Sequence, residues 1–104
     1  MKLQNKVLAA LMLTSIALCA QAATPADKAQ VRSLAASCAS CHGTAGVAQP
    51  GMESLAGQSK EDLLKKMMDF KTGKKPATIM HQLAKGYTDQ EIEQLAAYFA
   101  ALKK

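Results

Sequence analysis

The chain has 104 residues, 13 Lys and Arg against 8 Asp and Glu for a formal charge of +5, three cysteines, two Phe, two Tyr and no Trp. That length excludes a multidomain architecture, and so few aromatic residues leave a thin core that is marginal without a staple. The modest positive charge gives no support to a nucleic-acid role.

At the amino terminus Lys2 and Lys6 precede an apolar run over residues 7–20, followed by Ala20, Gln21 and Ala22. A basic n-region, an apolar h-region and an A-x-A site in that order predict a secretory signal peptide over 1–22, cleaved after Ala22. The alternative is a membrane anchor, which needs about 20 apolar residues, more than this run supplies. A lipoprotein signal is disfavoured because Leu18 precedes Cys19, where such signals have a small residue. Cleavage lowers the charge to +3, leaves no membrane span, and makes Cys38 and Cys41 the only thiols of a single domain over 23–104. In an oxidising compartment such as the periplasm that pair becomes a disulfide unless other chemistry consumes it.

Thr24, Pro25 and Asp27 read as an N-cap, a first-turn proline and a first-turn acid, so a helix is expected over 25–39 with Val31, Leu34 and Ala35 facing inward. This helix leads into Cys38, Cys41 and His42, spaced as C-x-x-C-H. Each thiol of that motif can add across a haem vinyl group, and the adjacent imidazole is then held under the iron as its proximal ligand. A thioredoxin-like dithiol would need a strand before the motif and a helix after it. A structural zinc site would need a second pair of ligands, and His81 is the only other histidine. One covalently attached haem c fits best, and it also supplies the missing staple. Without it the chain is expected to be poorly folded.

Residues 43–58 carry Gly43, Gly46, Pro50, Gly51 and Gly57 without sustained periodicity, which predicts a loop around the haem edge. Ser59, Glu61 and Asp62 start a second helix through residue 70, with Leu63, Leu64, Met67 and Phe70 on its apolar side. Residues 71–76 break it. A short helix over 77–85 is expected to stop at Gly86 in a left-handed cap. Thr88 and Glu91 form a capping box for a last helix, with Ile92, Leu95, Phe99 and Leu102 on one face, running to the chain end, where Lys103 and Lys104 suit its dipole. The expected fold is all-α.

The order of C-x-x-C-H, the Leu55 to Gln58 segment, Phe70 to Gly73, Met80 and the terminal Leu95 to Ala100 run resembles the small monohaem class I cytochromes of the c4 and c553 type. Within that group the segments at 70–73, 78–80, 84–88 and 98–99 are most similar to the haem subunit of flavocytochrome c sulfide dehydrogenase. The resemblance implies short helices and loops wrapped around one haem, periplasmic electron transfer rather than catalysis, and an FAD-bearing flavoprotein partner that oxidises sulfide.

The sixth iron ligand has five candidates: Met52, Met67, Met68, Met80 and His81. Met52 follows the proximal ligand too closely to reach the other haem face, and Met67 and Met68 sit in an amphipathic helix where packing is the plainer role. Met80 lies on a separate element and matches the ligand methionine of the resembled family. His81 adjoins Met80 and would give a bis-histidine haem if it bound instead; a helical neighbour is turned by about 100°, so the two cannot both face the iron. His/Met ligation raises the potential and fills both axial positions, which argues against oxygen chemistry or gas sensing.

In the resembled family a proline carbonyl accepts the proton on the second nitrogen of the proximal histidine; here that position is Glu53. Any residue offers a carbonyl, so the bond is expected to survive. Lys71, Lys74, Lys75 and Lys85 cluster around the Met80 segment and suit an acidic docking partner. Three functions are compatible with these residues: the haem subunit of a flavoprotein dehydrogenase, a diffusing cytochrome that serves an oxidase or reductase, and a haem-based sensor with an open sixth position. The downstream acceptor is not encoded in any motif.

Overall fold

Side-chain caps fix the two longest helices of this computed structural model, which describes residues 28–104. The signal-peptide and Thr24 cap expectations lie outside those residues. The described elements are α1 (Lys28–Ala36), α2 (Ala39–His42), a 3-10 turn (Thr44–Gly46), α3 (Lys60–Lys71), α4 (Met80–Lys85) and α5 (Asp89–Ala101), with no strand among them. Ser59 Oγ accepts from Asp62 N at 3.1 Å to start α3. Thr88 and Glu91 close the expected capping box on α5, with bonds of 3.1 and 2.8 Å.

Helix α5 packs against α1 and α3, and α3 in turn carries α4. Ala35, Leu63, Leu95, Ala96 and Phe99 form the buried cluster between them, with Ile92 fully buried beside it on α5. Of the inward faces read from the sequence, Ala35, Leu63, Ile92, Leu95 and Phe99 are buried, whereas Val31, Leu34, Leu64, Met67, Phe70 and Leu102 are half-buried; three of the eight buried core residues are the alanines Ala56, Ala84 and Ala96, which no apolar stripe had singled out. They mark close approach of backbones rather than bulk.

Four helix ends depart from the sequence reading. The helix expected through residue 39 breaks at Ser37 and Cys38, where Ser37 Oγ bonds Leu34 O at 3.3 Å and the Tyr87 hydroxyl at 2.6 Å. A serine hydroxyl that engages nearby backbone offers the chain an alternative to the helical ladder. Helix α4 starts only at Met80, because Ile79 has φ −136° and no side chain caps the turn. Gly86 is right-handed, with φ −74°, and ends α4 through an i to i−3 bond to Leu83 O at 3.0 Å instead of a left-handed cap. The last helix likewise stops at Ala101, and Leu102 is extended.

The loop after α2 is pinned at a neck. Gly46 O accepts from both Leu55 N at 2.8 Å and Ala56 N at 3.1 Å. Gly46 itself has φ +74°, and a Cβ there would lie 2.9 Å from the Phe99 ring, so the loop base sits directly on the core.

Candidate functional site

One helical turn presents the attachment motif. His42 N bonds Cys38 O at 2.9 Å and Cys41 N bonds the same oxygen at 3.3 Å. Positions i, i+3 and i+4 share a helix face, so Cys38, Cys41 and His42 point the same way. Both cysteines are free. Burial pushes the Cys38 thiol above its ordinary pKa. Gly43 closes the turn at φ +82°, and any Cβ there would collide with Val47 O.

Cys38, Cys41, His42 and Met80 all line one cavity of about 360 Å³. Its walls come from α2, the 51–55 loop, α3, α4 and α5, and include Leu63, Leu95, Ala96 and Phe99 from the core, with Phe70 beside them on α3. Met52, Ile79 and Leu83, at 48%, 55% and 47% exposure, ring the same cavity. Large apolar side chains left open around a pocket with a pair of thiols suit a broad apolar ligand plane held by covalent bonds.

His42 Nδ1 donates to Glu53 O at 2.5 Å, the bond anticipated from the sequence despite the absence of proline. That bond places the ring proton on Nδ1 and leaves the Nε2 lone pair available to a metal. The Glu53 carboxylate accepts from Lys66 and from Gln58, and the Lys66 ammonium holds it below the usual carboxylate range. The residues therefore fit a haem c.

Among the other ligand candidates, Met52 and Met67 also line the cavity, so Met67 is a wall residue rather than part of the buried cluster. Met68 and His81 do not line it. His81 Nδ1 is buried without a hydrogen-bond partner among the described residues. Among those residues no three His, Cys, Asp or Glu side chains gather as a metal-ligand group, and no helix is long and apolar enough to cross a membrane.

Sequence reasoning missed Tyr87. It lines the cavity, its hydroxyl meets Ser37, and its carbonyl accepts from Lys71 Nζ at 2.7 Å. An isolated tyrosine between a glycine and a cap carries no periodic signal. Lys71 also pairs with Asp89 at 2.7 Å, and Lys75 lies 5.2 Å from the Phe70 ring centroid. Two of the four lysines expected to form a docking cluster thus have partners within the fold, while Lys74 and Lys85 are exposed.

The chain belongs to the cytochrome c family: residues 25–99 match the family model described as cytochrome c oxidase, cbb3-type, subunit III. It is an electron-transfer protein of the small class I type, and its cofactor is one covalently bound haem c. It is 41% identical to the cytochrome subunit of sulfide dehydrogenase from Chlorobaculum tepidum, over 80% of this chain and 76% of the relative. Cytochrome c4 of Pseudomonas aeruginosa is 40% identical over 95% of this chain, which spans about half (49%) of that relative's length. Cytochrome c-553 of Helicobacter pylori is 37% identical over 70% of this chain and 78% of its own.

Proposed function

We propose that the domain over 23–104, released from a signal peptide over 1–22 into the periplasm, holds its haem through Cys38 and Cys41, with His42 and Met80 as the axial ligands. The observation that carries this reading is the convergence of those four side chains on one cavity. When bound, haem supplies a one-electron Fe(III)/Fe(II) couple. The chain's own part is to keep both axial positions filled, exclude water with the core side chains behind the pocket, and leave an apolar edge at Met52, Ile79 and Leu83 open to a partner.

The electron donor in this proposal is an FAD-bearing dehydrogenase of the sulfide-oxidising kind. Support comes from the likeness to a cytochrome named as a sulfide dehydrogenase subunit. A diffusing carrier that serves an oxidase or reductase shares every ligand and differs only in its partner. Co-purification with bound FAD, and haem reduction by sulfide only when the flavoprotein is present, is the expected result. Equal reduction by sulfide alone, with no stable partner recovered, would favour the diffusing carrier.

Ligation has its own test. Haem should stay with the chain in acidic acetone, and Cys38→Ala or Cys41→Ala should abolish maturation. The oxidised protein should show the weak far-red band of an iron(III)–thioether bond, and Met80→Ala should lose it. Retention of the band in that variant would move the ligand to another methionine.

A further inference from the structure

Glu53 must keep its carbonyl aimed at His42, yet it has no ring to restrict its backbone. Its side chain is tied down instead. Lys66 Nζ donates to Glu53 Oε1 and, at 2.8 Å, to Gln58 Oε1; Gln58 Nε2 donates to the same Glu53 oxygen at 2.9 Å. The three side chains close a triangle between the loop and α3. Gln58 Nε2 also donates to Ser54 O at 2.6 Å, and Ser54 Oγ accepts from Ala48 N at 2.9 Å. The Glu53 carboxylate, the Ser54 carbonyl and the Ser54 hydroxyl around the 53–54 peptide are thus all engaged, and the Glu53 carbonyl itself accepts from His42.

We propose that Lys66 and Gln58 are positioning residues: their triangle with Glu53 sets the direction of the Glu53 carbonyl and, through it, the orientation of the His42 imidazole. This inference rests on His42 as the proximal ligand. Swinging the carbonyl away would require the Glu53 side chain to leave Lys66 and Gln58 or the Ser54 carbonyl to leave Gln58. The Glu53 and Lys66 side chains are 51% and 33% exposed, so their ion pair alone contributes little in water. Closure of the ring by Gln58 removes the freedom that an isolated surface pair keeps. The expected consequence is a tighter Nδ1–H bond and a more strongly donating ligand.

The test reads that proton directly, by NMR hydrogen exchange of His42 Nδ1–H in the reduced holoprotein. Lys66→Met and Gln58→Ala should each speed exchange by about three- to tenfold, the loss of one or two partly exposed polar bonds, and should raise the reduction potential. Lys66→Arg, which retains donors, should stay near the unsubstituted protein. Unchanged exchange in both Lys66→Met and Gln58→Ala overturns the proposal, and the two variants alter different corners so that one failing to fold leaves the other decisive. Acid-stable haem and the far-red band report separately on ligation. If both persist while exchange is unmoved, the triangle alone falls; if the unsubstituted protein lacks them, the ligand reading falls.

Discussion

The face where α1, α3 and α5 meet and the face that opens beyond Met80 are built from similar apolar residues put to opposite uses. Ile92 is fully buried on the first, while Ile79 is 55% exposed on the second. Helices α3 and α5 are started by their own side chains, Ser59 and Thr88, whereas α4 begins with no cap at all. The difference teaches that only half of this molecule is a self-sufficient helical core. The other half is a set of walls whose apolar surface is completed by a cofactor.

The largest expected effect sharpens that contrast within the core. Phe99 is buried and its ring meets the Gly46 neck, so Phe99→Ala in the holoprotein should cost about 3–5 kcal/mol by denaturant unfolding. Ile79→Ala should cost less than about 1 kcal/mol. Equal costs would erase the distinction between the faces.

A smaller effect separates the helices by their starts. Thr88→Ala removes the bond to Glu91 N and should lower stability by about 1 kcal/mol, with hydrogen exchange faster in the first turn of α5. The α4 start has no side-chain cap to lose, so Ile79→Ala should leave exchange in α4 nearly unchanged.

The smallest effect is a pH dependence at the surface of α3. Lys65 beside Asp69 holds that carboxyl below its ordinary range. A depressed folded-state pKa contributes stability above the ordinary aspartate range that is lost as pH falls through the lowered value. Asp69→Asn should remove this part of the acid sensitivity, and the remainder should persist. The Lys65 partner is 75% exposed, so solvent screens the pair and the change should be slight.

For the two helices whose side-chain caps fall among the described residues, the start was legible. Ser59 and Thr88 located the starts of α3 and α5 within a residue, and C-x-x-C-H picked out the turn that opens on the cavity. Boundaries set by distant partners were not legible. Nothing near Ser37 in sequence announces Tyr87, whose hydroxyl helps break α1, and nothing near Gly86 shows that α4 will end in a tight right-handed turn. The triangle at Glu53 was invisible for the same reason, since Gln58 and Lys66 read as ordinary polar residues until the loop is laid against α3. The basic cluster was legible as charge but not as geometry, because Lys71 turns toward Tyr87 and Asp89.

The neck at Gly46 limits how much of the loop is free to move. Bringing the ends of a short loop together costs entropy that rises only slowly with its length. Here two backbone bonds to one carbonyl, seated on Phe99, close the 46–55 loop using the protein core alone. The carbonyl that accepts from His42 Nδ1 thus sits in a loop whose two ends are already tied together, so few residues are left to be ordered around it.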